Sequence, residues 1–224
     1  MSRALCGARR YGLLRHRGIE MKTFRFTDAP PGAFDPRAPK FGGQPEWLSK
    51  PRWPLSRSTG RPMRFICQVP IPPGLAGDQQ VAYVFYGSGD ADEYVDWGWT
   101  SGGGENAIIL QPTSFRASVL TTPIHTGPVL QRAVARDGRR VLEDVELAAE
   151  LVDVDVAPDR ATTQYLGEPF WVQNDETPTR GQWRFLMQID SHTDRFRLNW
   201  GDAGVGYVFV AEDGTAARFL WQCY

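Results

Sequence analysis

The 224-residue sequence predicts an α+β fold, predominantly β, in which one sheet-rich unit occurs twice as pseudo-symmetric halves. Three observations predict it. Three words recur in the same order: Gly43-Gln44-Pro45-Glu46-Trp47 is answered by Gly167-Glu168-Pro169-Phe170-Trp171, Arg64–Val69 by Arg184–Ile189, and Tyr83-Val84-Phe85 by Tyr207-Val208-Phe209. Trp47 to Tyr83 and Trp171 to Tyr207 are both 36 residues. In the middle words apolar residues alternate with period two, the signature of a strand. Finally, 17 Pro and 23 Gly interrupt the chain too often for a helical bundle.

The elements follow in order. Residues 1–20 carry five Arg and one Glu, net +4, whereas residues 21–224 carry 20 basic and 25 acidic side chains, net −5. Lacking a continuous apolar run, the first stretch is not a secretory signal; it reads as a disordered arm or a start assigned too early, with Met21 opening the domain as a short strand. The first half is expected at about 21–110, a linker at about 111–140 and the second half at about 141–224. Strands are expected near 64–69, 81–86 and 108–110. Asp90–Gly104 reads as a loop, and Pro112–Pro128 as a long connection. One helix is expected around Arg139–Glu150, where Leu142, Val145 and Ala149 share a face, although the segment could equally extend the following strand at Val152, Val154 and Val156. Further strands are expected at 184–189, 205–210 and, after the turn Glu212–Thr215, 217–223.

The word Lys40–Leu48 followed by Met63–Gln68, with Asn199–Gly204 ahead of Tyr207-Val208-Phe209, resembles the bacterial YwqG-like family, a domain of unknown function. The Gly-Gly-x-Pro-x-Trp-Leu and Phe-x-x-Gln words are also similar to those of ribosomal-protein chaperones of the programmed-cell-death-two type. The resemblance implies a duplicated, mostly β fold and no established enzyme activity. Several relatives carry a Cys-x-x-Cys-Gly knuckle before the second word. Here Arg57–Pro62 and Pro178–Gly181 hold neither Cys nor His, so no metal and no cofactor are expected.

Composition narrows the function classes. A formal net charge of −1 argues against a general nucleic-acid binder, and no apolar run reaches the ~20 residues of a membrane helix. Three scattered cysteines, Cys6, Cys67 and Cys223, point to a reducing, cytoplasmic setting. Gln68 and Gln188 occupy equivalent mid-strand places. They either line a central groove and bind a partner, or each ties its own Gly-x-Pro-x-Trp loop to the strand. Trp97 and Trp99 lie among the acids Asp92, Glu93 and Asp96, a combination suited to a basic protein partner or to stacking a sugar. A second acidic stretch, Val141–Pro158, could steer such a partner or form a solvated face. The catalytic constellations fail on spacing, and Asp190-Ser191-His192-Thr193-Asp194 is the best hydrolase candidate. The expected function is therefore a non-enzymatic protein-binding module, of the client-chaperone or toxin-immunity type, using Trp97, Trp99, Asp92, Glu93, Asp96, Gln68 and Gln188. The alternatives are a carbohydrate or small-ligand binder and a hydrolase centred on His192.

Overall fold

The computed structural model describes residues 20–29, 34–87, 96–113, 116–154, 162–191, 193, 195–196 and 198–224. Fourteen strands account for its regular structure: β1 Lys22–Asp28, β2 Lys40–Gly42, β3 Trp53–Pro54, β4 Arg64–Pro70, β5 Val81–Tyr86, β6 Asn106–Gln111, β7 Thr121–Thr122, β8 Gln131–Arg136, β9 Arg139–Asp144, β10 Glu146–Asp153, β11 Gln164–Tyr165, β12 Trp183–Asp190, β13 Val205–Ala211 and β14 Ala217–Gln222. No helix occurs among the described residues, which corrects the α+β expectation to all-β. The helix expected over Arg139–Glu150 is β9 and the start of β10. Leu147 and Ala149 are buried while Glu146 and Glu150 are exposed, so the two-residue period prevails over the helical one. No helix of the described residues is long and apolar enough to cross a membrane.

Ten strands form one antiparallel sheet in the order β14-β13-β12-β11-β1-β10-β2-β4-β5-β6. The order reads alike from either end about the long β1–β10 pair, whose register centres on Arg25 opposite Glu150. On one side lies the N-terminal set β2, β4, β5 and β6, on the other the C-terminal set β11 to β14. Lys40 faces Gln68 across β2–β4, and Gln164 faces Gln188 across β11–β12. A bulge interrupts β4 between Phe65 and Cys67, and another interrupts β12 between Phe185 and Met187. Such insertions bend a strand and increase its twist.

The sheet curls into a nearly closed, barrel-like form until the edge strands β14 and β6 approach each other. The closure is sealed by Gly77 N–H donating to Glu212 O (2.8 Å) and the Gln79 amide to Gly214 O (3.1 Å), and by the Tyr86 ring against Trp200 and Phe219. Inside, Phe24, Phe41, Tyr165 and Phe196 pack edge-on and stacked, and Cys67 and Val84, on the same face as Phe41, are fully buried. Curling suits this sequence because β5, β6 and β13 are buried on both faces.

The stretch expected as a linker is not a bare loop. It contributes β7, which pairs with β3, and the hairpin β8–β9, whose Asp137-Gly138 turn has both φ angles positive (50° and 73°), as a type I′ hairpin turn requires.

Candidate functional site: two loop clamps and a tryptophan ledge

Each set of strands holds a Gly-x-Pro-x-Trp loop with the same contacts. Gly42 and Gly43 (φ 68° and 59°) turn the chain out of β2, and Leu166 and Gly167 (φ 61° and 77°) turn it out of β11. A Cβ on Gly42 would lie 1.9 Å from the Val145 carbonyl oxygen, so glycine is required there for space as well as for φ. The Gln68 side-chain oxygen accepts from Glu46 N–H (2.8 Å), and its amide donates to Pro36 O and Ala38 O (3.0 and 3.2 Å). The Gln188 oxygen accepts from Phe170 N–H (2.8 Å), and its amide donates to Thr162 O (2.9 Å).

A tyrosine completes each clamp. Tyr83 donates its hydroxyl proton to Glu46 O (2.8 Å) and accepts from Leu48 N–H (3.0 Å); Tyr207 donates to Phe170 O (2.9 Å) and accepts from Val172 N–H (3.1 Å). Burial pushes both phenols up to about 12, against the smaller opposing pull of the N–H each accepts from. Trp47 lies against Tyr83 and Phe85 with ring centroids 4.8 and 6.1 Å apart, and Trp171 against Tyr207 and Phe209 at 4.5 and 6.0 Å. A glutamine that sequence reasoning missed clamps the far end of each loop. Gln111 accepts from Ser49 N–H and donates to Lys50 O, while Gln222 accepts from Gln173 N–H and donates to Asn174 O.

Gln68 and Gln188 have no exposed surface; the oxygen of each is engaged by its own loop and the amide by the segment ahead of β2 or β11. In this conformation neither offers an atom to a partner. A difference lies beside them. Lys40, fully buried, donates to Gln44 O (2.9 Å) and Glu146 Oε1 (2.6 Å); at the matching register position Gln164 donates to Glu168 O (2.8 Å).

Trp97 and Trp99 are exposed by 62% and 37% and stack on each other, centroids 5.4 Å apart and planes 25° from parallel. They belong to the 87–105 connection between β5 and β6, whereas β13 and β14 are joined by only 212–216. The described part of this longer connection is firmly held. The Asn106 amide donates to Gly98 O and Thr100 O (2.8 and 3.0 Å), and Trp221 N–H donates to Trp99 O (3.1 Å). Gly98 fits because its Cα lies against Tyr86; a Cβ there would meet the Tyr86 hydroxyl oxygen at 2.6 Å. Trp97 itself adopts φ 63°, which a bulky side chain rarely takes up unless its surroundings fix it. Asp96 is exposed beside this ledge. Asp92, Glu93 and His192 lie outside the described residues.

Most of the described acids in the second acidic stretch are paired; Asp144 accepts from the Gln131 amide, and Asp155 lies outside the described residues. Glu143 pairs with Arg132 and Arg136, Glu146 with Lys40, Glu150 with Arg25 and Asp153 with Lys22. Where relatives are expected to carry a cysteine knuckle, the turn after β3 is closed by a carboxylate. Ser56 donates its hydroxyl to Glu105 (2.7 Å), and Ser58 N–H donates to the other oxygen (2.9 Å). Among the described residues no group of three or more His, Cys, Asp or Glu side chains is placed to hold a metal ion. Cys67 is a free, buried thiol whose pKa burial raises, so it is a core apolar group here and not a nucleophile.

Comparison with known proteins adds one finding. No curated protein matches the chain. Residues 77–223, which take in β5, the tryptophan ledge and the whole C-terminal set, match a domain of unknown function, and the chain accordingly belongs to the DUF1963 family.

Proposed function

We propose that the protein is a non-enzymatic protein-binding module, of the client-chaperone or toxin-immunity type, that takes a basic segment of a partner on the Trp97–Trp99 ledge. The observation that carries this reading is an exposed, stacked indole pair beside Asp96, fixed from below by Asn106. An indole face attracts guanidinium and ammonium groups, and a pre-ordered aromatic pair binds with little entropic cost. Because the indoles already stack at 5.4 Å, a ligand group has no room between them and must lie on the outer face of Trp97.

We infer as well that the two strand sets descend from one duplicated unit. The palindromic strand order, the paired bulges and the matching glutamine, tyrosine and tryptophan contacts support this. The resemblance to YwqG-like proteins and to ribosomal-protein chaperones agrees with it. The 87–105 insertion is then a marked departure from symmetry, and it is the segment that bears the ledge.

The test is a tryptophan-fluorescence titration with an arginine-rich peptide, repeated at rising salt. Saturable quenching that weakens with salt, and that disappears in Trp97→Ser/Trp99→Ser, supports the proposal. Asn106→Ala should weaken the same response by loosening the ledge. A response to oligosaccharides in place of the peptide would move the protein to the carbohydrate-binding class.

A further inference from the structure

The two strand sets carry matching outer faces, but among the described residues only one of them is covered. Over the N-terminal set, Trp53 of β3 is fully buried and packs 5.3 Å from the Phe85 ring and 6.2 Å from Trp47. The 120–130 segment completes the cover. Leu120 O accepts from Leu55 N–H, β7 pairs with β3, Gly127 exchanges two hydrogen bonds with the Gln44 side chain, and Pro128 O accepts from Phe65 N–H (2.9 Å). Val129 bridges Phe65 in parallel. Under this lid Met63, Arg64 and Phe65 are all buried.

No described segment covers the corresponding residues of the C-terminal set in this way. Trp183 and Phe185 are half-buried and Arg184 is exposed, although Phe185 packs on Phe209 as Phe65 packs on Phe85. Trp171, Val172, Trp183 and Phe185 lie partly open over a small separate cluster of Val205, Tyr207, Phe209 and Leu220. The 173–182 stretch, which follows the second loop as β3 follows the first, is polar and mostly exposed and forms no strand. Among the described residues nothing bridges Phe185 as Val129 bridges Phe65.

We propose that this open face docks an extended, uncharged, apolar strand from a partner protein, laid parallel to the start of β12. The chain itself shows which occupant such a face accepts. Residues 120–130, Leu-Thr-Thr-Pro-Ile-His-Thr-Gly-Pro-Val-Leu, contain no Asp, Glu, Lys or Arg and run extended over the twin surface. An added strand gains affinity from backbone hydrogen bonds and selectivity from alternate side chains, which here would meet Trp171 and Phe185. The proposal does not rest on the tryptophan ledge, which belongs to the 87–105 connection between β5 and β6.

The probe is a synthetic peptide with the sequence of residues 120–130, titrated into the full chain and followed by amide and indole NMR shifts. Saturable shifts at the Phe185 amide and the Trp171 and Trp183 indoles are expected. They should weaken at least tenfold when the peptide's equivalents of Val129 and Leu130 are both aspartate, a control independent of the protein's folding. In a Phe185→Lys protein that keeps its spectrum, the same loss is expected, whereas Trp97→Ser/Trp99→Ser should bind the peptide normally. Absent or scattered shifts at millimolar peptide would overturn the proposal. So would binding that appears only after residues 1–19 are deleted, which would assign the face to the chain's own N-terminal segment. A dimer dispersed by Phe185→Lys would likewise overturn it, in favour of a second copy.

Discussion

Gln68 and Gln188 hold two loops by one rule: the side-chain oxygen of each accepts, at 2.8 Å, from the backbone N–H of the residue just before the loop tryptophan. Both side chains are fully buried, so water cannot replace those bonds. A polar group in the middle of an apolar strand is tolerated here because its oxygen is matched by the loop and its amide by the segment that leads into the neighbouring strand.

Replacing either glutamine by leucine should therefore destabilise the fold well beyond the loss of one ordinary contact. Gln68→Leu strands Glu46 N–H and the carbonyls of Pro36 and Ala38, and Gln188→Leu strands Phe170 N–H and Thr162 O. The two or three groups stranded are part-buried, so each should cost near the low end of the roughly 1–3 kcal/mol of a fully buried orphan, and urea denaturation should show a loss of about 2–4 kcal/mol. A change below about 0.5 kcal/mol, the level of an ordinary surface substitution, would show that the clamps carry no stability.

The tyrosine partners predict a pH dependence. Tyr83 and Tyr207 stay protonated up to about 12 in the folded chain, whereas an unburied tyrosine ionises near 10.0. A pKa raised by folding stabilises the protein fully below the unfolded value and loses that contribution as pH climbs through the folded one. The melting temperature should thus hold steady up to pH 10 as far as these groups are concerned, then fall between pH 10 and 12 as tyrosinate can no longer donate to Glu46 O and Phe170 O. In Tyr83→Phe/Tyr207→Phe the starting stability should be lower and the fall shallower. An unchanged slope in that variant would assign the alkaline transition to other groups.

The repeated words were readable because each marks a contact that needs a particular residue type. Trp47 and Trp171 must stack, Tyr83 and Tyr207 must both donate and accept, and the strand glutamines must bond to the loops. Gln111 and Gln222 were not legible because the longer 87–105 connection changes their spacing from the other words, while the residues around them differ. The turn signal Asp137-Gly138 was present in the sequence, yet Leu142, Val145 and Ala149 suggested a helix. Tertiary pairing in β9 and β10 overrode that local pattern. The uncovered face was not legible at all, since it depends on which distant segment crosses Phe65 and which does not cross Phe185.

Lys40 and Gln164 show how one position can be filled by two chemistries, and their comparison gives the last prediction. Both side chains donate to a loop carbonyl, Gln44 O in one set and Glu168 O in the other. Lys40 also pairs with Glu146 at 2.6 Å and lies 3.6 Å from Glu46. Those carboxylates are 48% and 37% exposed, so on loss of the lysine they can rehydrate and do not remain as bare buried charges. The cost of removing Lys40 should consequently fall short of the roughly 3–5 kcal/mol seen when a fully buried ion pair is broken. Lys40→Gln should retain the bond to Gln44 O and cost about 1 kcal/mol, whereas Lys40→Met leaves that carbonyl without its donor and should cost about 2–3 kcal/mol. Chemical denaturation of both variants checks the order. If Lys40→Met proved the more stable, the ion pair would be a net liability, and the Gln68, Tyr83 and Gln111 bonds would suffice to hold the loop.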